Sequence, residues 1–214
     1  MRLPTLVIGN KNYSSWSLRP WLFLRKNGVQ FSEEQLWLDE PDFKSRLAAY
    51  NSGGKVPVLR DGNLTVCDSL AIIEYAIENF PCAETWPRDP AQRAHARSSA
   101  CEMHSSFTAL RSECPMDIRN RYPVELSAAT REDIQRISQL WTQALEMSGS
   151  KGNWLYGDFC AADAMFAPVV FRFTGYGVPL SPLLQAYVDR VLGEPVLGDW
   201  IRDARAEEHH LDYQ

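Results

Sequence analysis

Three hydroxyls within four residues, Ser14, Ser15 and Ser17, stand where a short apolar run (Leu6, Val7, Ile8) gives way to a helical pattern. The first N–H groups of a helix have no partner within it, and the aligned peptide dipoles add partial positive charge there. Such a site stabilises an anion, a thiolate included. A free thiol of pKa about 8.5 is only roughly 3% ionised at pH 7. A fall of about two units, worth roughly 2.7 kcal/mol, would make most of it thiolate. One hydroxyl hydrogen bond and a helix dipole are of the right size to supply that. The same serines also suit plain capping and turn duty, for which serine is a preferred residue. Regular helix is expected from Trp16 or Ser17, since Pro20 belongs in a first turn or just beyond it. Ser17 then suits the cap, with Ser14 and Ser15 just upstream, where a sulfur could sit.

The elements around the turn follow from periodicity. Residues 5–9 read as a strand. Leu18, Trp21, Leu22 and Leu24 keep helical spacing, and Asn27-Gly28 ends that helix. Phe31 to Leu38 reads as a second strand. Glu40-Pro41 starts a short helix carrying Phe43, Leu47 and Tyr50, which Ser52-Gly53-Gly54 breaks. Val56–Leu59 and Leu64–Cys67 flank Asp61-Gly62-Asn63, a hairpin signal, and Ser69 to Phe80 is an amphipathic helix. Past residue 87 strand signals fade. Helices are expected at 90–113 as one long element, from Thr130 along a face through Ile134, Ile137, Leu140, Trp141, Ala144 and Leu145, and at about 161–173, 182–192 and 196–207. The fold class is therefore α/β plus all-α: a thioredoxin-like domain over 1–81, a link near Pro81–Pro87, and an all-helical domain over 88–214.

Composition narrows the function. A chain of 214 residues with 45% apolar and 23% charged residues is ordinary for a globular protein with a real core. A net charge of −5 disfavours nucleic-acid partners. No apolar run reaches membrane-spanning length, and the first residues lack the apolar segment of a signal peptide. Five cysteines without a Cys-x-x-Cys pair argue against a disulfide scaffold or zinc site and for a reducing cytoplasm. Cys67 and Cys160 read as small buried hydrophobes, and Cys82, Cys101 and Cys114 lack a recognisable partner. His95 and His104 read as structural or solvent-facing, and His209-His210 as a solvated tail.

Ser14-Ser15-x-Ser17-x-Arg19 resembles the Ser-Ser-Cys-Ser-x-Arg signature of zeta-class glutathione transferases, which include maleylacetoacetate isomerases. More broadly the chain resembles the Ser-type, theta- and zeta-like bacterial members of the cytosolic glutathione transferase family. The resemblance implies that Ser14 polarises the sulfur of glutathione, with Ser15 beside it. It departs at Trp16, which stands where the zeta signature has cysteine and is expected to wall an apolar pocket for the second substrate. Val56-Pro57 matches the family's cis-proline turn, implying that the Val56 backbone pairs with the cysteinyl part. Asp68-Ser69 matches the pair that holds the γ-glutamyl end, its carboxylate at the free N–H groups and hydroxyl of a helix start and its ammonium at the acidic side chain. Lys55 has two readings, a partner of the glycyl carboxylate or a solvated loop lysine. Gly157-Asp158-Phe159-Cys160-Ala161-Ala162-Asp163 resembles the family's capping motif, a structural one: with the poor acceptor Cys160 at the cap, Asp163 can still bond back to the cap N–H.

The resemblance spans nearly the whole chain and implies a cytoplasmic, dimeric detoxification enzyme. It would attack a small electrophile with enzyme-bound glutathione as co-substrate, without metal, nucleic acid or membrane. Two alternatives stay open: glutathione-dependent isomerisation of a maleyl-type acid, which calls for cationic groups near the pocket, and a non-catalytic binding or regulatory protein of the same fold. Disulfide exchange is disfavoured, because Ser14 occupies the position of the nucleophilic cysteine.

Overall fold

The computed structural model describes residues 3–50, 53–122, 125–149 and 153–211; Ser52, one of the expected helix breakers, lies outside them. β1 (Thr5–Ile8) pairs in parallel with β2 (Ser32–Gln35) and antiparallel with β3 (Val58–Asp61), which pairs antiparallel with β4 (Leu64–Cys67). The order is β2-β1-β3-β4. Because side chains alternate across a strand, the register sorts the core into two layers. Leu6 lies opposite Leu59, and with Ile8 they join the main core; Val7 lies opposite Val58 and packs with Leu36, Leu47 and Tyr50. β2 is polar yet holds its place on the sheet edge, where Glu33 accepts from Trp21 Nε1 at 2.8 Å and Arg25 Nη2 at 2.7 Å, and pairs with Lys11 at 2.9 Å.

α1 (Ser15–Lys26), α2 (Phe43–Ala48) and α3 (Ser69–Asn79) complete the first half, and Gly62 takes the positive φ that the β3–β4 hairpin requires. α1 starts earlier than expected, at Ser15, so Pro20 lies inside the helix rather than in its first turn. Ser17 is not the cap. It lies inside the first turn of the helix, and its hydroxyl accepts from the Gly9 N–H at 3.1 Å and from the Ser14 hydroxyl at 2.7 Å. Ser14 occupies the cap position.

The second half contains α4 (Pro90–Ser105), α5 (Thr108–Glu113), α6 (Ala128–Met147), α7 (Ala161–Gly175), α8 (Pro182–Leu192) and α9 (Pro195–Ala206). The single helix expected over 90–113 is two. Ser106 is extended and buried Phe107 turns left-handed at φ 60°, after which the freed Leu110 N–H donates to the Asp133 carboxylate of α6 at 2.9 Å. Phe107 keeps the apolar spacing, so the break leaves no mark in the periodicity. α7 is buried along nearly its whole length and packs on both α1 and α4, which joins the halves through the helix that carries the serines. Among the described residues no helix is long and apolar enough to cross a membrane.

Candidate active site

The start of α1 opens onto a cleft of about 610 Å³ between the two halves. Ser14, Ser15, Trp16, Lys55, Val56, Pro57, Asp68 and Ser69, far apart in sequence, all line it, and the Val56–Pro57 peptide bond is cis. Tyr13, Cys67, His104 and Arg111 line it too. Cys67 is half-buried rather than core, and burial and the neighbouring Asp68 push its thiol above the ordinary value.

The two serines differ in their bonds. Ser14 donates its proton to Ser17 Oγ, whereas Ser15 Oγ accepts from Arg172 Nη2 at 3.2 Å. Arg172 reaches across from α7 and is oriented by the carbonyls of Arg111, at 3.3 Å, and Cys114.

Across the cleft, Asp68 sits at φ 81°, an uncommon conformation for a residue with a side chain. Its Oδ1 accepts from the N–H groups of Leu70 and Ala71 at 2.8 and 3.3 Å, capping α3. Its Oδ2 lies 2.6 Å from His104 Nε2. Burial pushes the Asp68 carboxyl up, but the bonds from His104 and the two backbone N–H groups outweigh it and hold it below the ordinary range. Ser69 is fully buried, and its Oγ has no hydrogen-bond partner among the described residues. An unsatisfied hydroxyl at the start of a helix is costly and ready to meet an anion.

His104 is thus a wall of the site rather than a solvent-facing residue, and its ring also meets Trp16 edge-on at 5.2 Å. Trp16 carries two guanidiniums over its ring, Arg19 at 4.1 Å and Arg111 at 4.6 Å. Arg19 is buried, which together with repulsion from Arg172 and Arg111 lowers its pKa to about 9 against the attraction of Asp68. A second cleft of about 290 Å³ adjoins the first. It shares Tyr13, Trp16 and Arg111 with it and adds Thr108, Ser112 and Arg172. Arg19 belongs to the signature at the serine turn, and Arg172 carries a sequence signal of its own as the lone charge in the otherwise apolar run from Ala164 to Phe173. For His104 and Arg111 there was none. Among the described residues no cluster of acidic, histidine and cysteine side chains is arranged to hold a metal ion.

Residues 13–79 match the family described as the glutathione S-transferase N-terminal domain. A probable maleylacetoacetate isomerase from Caenorhabditis elegans is 26% identical over 84% of this chain and 83% of its own length. Rat glutathione S-transferase theta-1 is 28% identical over 89% of this chain and 82% of its own. Among solved structures, a Burkholderia glutathione transferase homolog with bound glutathione superposes with a TM-score of 0.72 at 23% identity, covering 96% of this chain and 99% of that one. A theta-class enzyme from Xanthomonas axonopodis pv. citri with glutathione bound gives 0.68 at 22%, covering 94% and 98%. The thioredoxin-like half followed by a helical half is the fold that these structures share with the chain.

Proposed function

We propose that the chain, whose residues 13–79 match the glutathione S-transferase N-terminal domain, is a member of that family and joins the glutathione thiolate to a small electrophile. One observation carries this reading: the starts of α1 and α3 face one cleft, with Ser14 and Ser15 on one side and the unsatisfied Ser69 hydroxyl on the other. A ligand with a thiol at one end and a carboxylate at the other suits that pair, and glutathione has both.

In this reading Ser69 and the first N–H groups of α3 take the γ-glutamyl carboxylate, and Asp68 takes the ammonium in company with His104. The Val56 backbone, at the Pro57 turn, meets the cysteinyl unit, and Lys55 meets the glycyl carboxylate. Ser14 donates to the sulfur. Its proton now points at Ser17, so the pair reverses: Ser17, still accepting from the Gly9 N–H, donates to Ser14, which frees the Ser14 proton for the sulfur. The helix start and this chain of donors stabilise the thiolate and lower the thiol pKa. The thiol proton leaves to solvent, sulfur bonds to the electrophilic carbon, and the leaving group departs with its electron pair. No covalent bond to the enzyme forms; activation is by position and field. Trp16 walls the acceptor side.

A second assignment has a specific observation behind it. Ser15 Oγ accepts from a guanidinium, which polarises its O–H and leaves that proton available to sulfur. The arginines also keep glutathione-dependent isomerisation of a maleyl-type acid open as the alternative reaction, beside a binding protein without turnover. The reading further takes residues 1–81 as the glutathione-binding domain, 88–214 as the domain that supplies the electrophile pocket, and the molecule as a cytoplasmic homodimer.

Titration calorimetry of glutathione into the wild type, Ser14→Ala, Ser15→Ala and Asp68→Ala, with thiolate absorbance against pH, tests this. Binding that collapses in Asp68→Ala, with thiolate formation moved to higher pH in Ser14→Ala, is the expected result. The same displacement in Ser15→Ala alone transfers the role to Ser15. No binding at millimolar glutathione removes the transferase reading, and binding without turnover on a broad electrophile panel favours the non-catalytic one.

A further inference from the structure

The segment after α9 returns to the first half of the chain and grips it twice through one residue. The His209 ring stacks on Trp37, with centroids 3.9 Å apart and planes 9° from parallel, and its Nδ1 lies 3.2 Å from Asp39 Oδ2. The His209 carbonyl accepts from Arg119 Nη2 at 2.7 Å, the nitrogen that also donates to the Tyr13 hydroxyl at 2.7 Å. Each grip ends on a wall of the main cleft. Tyr13 lines it directly, and Leu38, between Trp37 and Asp39, lines it together with Phe43, Lys55 and Val56. Residues 36–42, which connect β2 to α2, have little else to fix them. Among the described residues, their backbone N–H groups donate outside the stretch only at Leu36, to the Ile8 carbonyl at 2.8 Å, and at Leu38, to Asn10 Oδ1 at 2.8 Å. A stretch so lightly bonded is the kind that opens locally, and the His209 ring lies where it resists that opening.

We propose that His209 is a positioning residue for glutathione: by stacking on Trp37 it holds the Leu38 wall against the seated ligand. The reading of the cleft as a glutathione site underlies this proposal. Moving the wall outward costs the ring stack and the Asp39 contact, and a stack of this kind shifts an equilibrium by about two- to tenfold. His209→Ala removes the ring but keeps the carbonyl, so the hold of Arg119 on Tyr13 stays. Ser14 and Ser15, at the start of α1, keep their places as well. The loss therefore falls on how tightly glutathione is held and not on how its sulfur is activated. The plain alternative is that the two rings only shield each other from water, a packing role indifferent to the ligand.

The experiment pairs calorimetric titration of glutathione with thiolate absorbance of the complex against pH, in wild type, His209→Ala and His209→Phe. The Kd for glutathione is expected to rise about three- to tenfold in His209→Ala, with the thiolate midpoint unmoved. His209→Phe keeps a stacking face and is expected to recover most of the affinity. An unchanged Kd overturns the proposal. So does a Kd that rises together with a displaced thiolate midpoint, which would make His209 a general support of the sulfur site. A second arm needs no ligand: amide hydrogen exchange of the free protein. The Leu38 amide is expected to exchange about three- to tenfold faster in His209→Ala and in Trp37→Ala, with α7 unaffected. Equal exchange in both variants overturns the hold on the wall. If wild type binds no glutathione, the transferase reading falls; faster exchange at Leu38 then still upholds the hold on the wall, and unchanged exchange removes that too.

Discussion

A hydroxyl has one proton to give, and at Ser14 it goes to Ser17. The path from Gly9 N–H through Ser17 to Ser14 therefore makes a buried residue with no contact to the cleft part of the activating chain, and it makes Gly9 sensitive. A Cβ on Gly9 would stand 3.0 Å from Leu38 Cδ2 and 3.2 Å from Ser14 Cβ. The leucine tip can swing away, but Ser14 is fixed by the start of α1. Gly9→Ala should therefore lower kcat/KM about tenfold or more and move thiolate formation to higher pH, with a modest stability cost of ~1–3 kcal/mol. The pH profile of thiolate absorbance beside a urea titration checks this; a stability loss with an unmoved profile would dissociate Gly9 from the sulfur site. At this scale legibility in the sequence divides cleanly. Ser14, Ser15, Trp16, Pro57, Asp68 and Ser69 were readable because each sits at the start of an element or in a turn, where local spacing constrains it. His104 and Arg111 were not, because a mid-helix or end-of-helix side chain carries no local sign of which distant loop it will face.

Elements show the same divide between local signal and tertiary override. The hairpin at Asp61-Gly62-Asn63 followed from turn chemistry, whereas the split between α4 and α5 depends on Asp133 of α6, more than twenty residues further on, accepting the freed Leu110 N–H. The start of α7 combines both. Asp163 bonds back to the Cys160 N–H at 2.9 Å, as its spacing implies, and also takes the Leu155 N–H at 3.1 Å. Burial raises the Asp163 carboxyl to about 6 against the pull of those two bonds. Between its ordinary 3.8 and about 6, the folded state thus holds a proton that the unfolded chain has released. The Asp163 contribution to stability accordingly falls as pH rises through that window and is level above it, a total of about 3 kcal/mol. An amide in its place would not titrate. The difference in unfolding free energy between wild type and Asp163→Asn should therefore shrink by ~2–3 kcal/mol between about pH 4 and pH 7. Taking the difference cancels the carboxylates, such as Asp117 and Glu33, whose lowered values act in the opposite direction. A pH-independent difference would mean that Asp163 is charged throughout.

Across the whole molecule, the loop that delivers the serines is held from the far end of the chain. Glu207, just past α9, accepts from the Lys11 and Asn12 N–H groups and from Gln35, while Trp200 Nε1 donates to the Lys11 carbonyl at 2.8 Å. Arg119 bonds the carbonyls of Glu207 and His209 and the Tyr13 hydroxyl. His209 is not a solvated tail residue: its ring stacks on Trp37 at 3.9 Å and lies 3.2 Å from Asp39. No local pattern could have announced this, since the partners lie at opposite ends of the sequence. Residues 10–13 have few backbone bonds of their own, so their geometry, and through it the position of Ser14, depends on Glu207. Glu207→Ala leaves two buried backbone donors without an acceptor and should cost ~2–4 kcal/mol of stability. It should also lower kcat/KM at temperatures where the variant is fully folded, because a small displacement of an activating hydroxyl weakens a bond that depends on alignment. Urea unfolding fixes the temperature at which to compare, and steady-state kinetics with any electrophile the wild type accepts gives the second number. A destabilised variant with wild-type kinetics would confine the tether to folding. Loss of both would show that the C-terminal segment, none of whose described residues lines the cleft, sets the sulfur site by holding the loop in front of it.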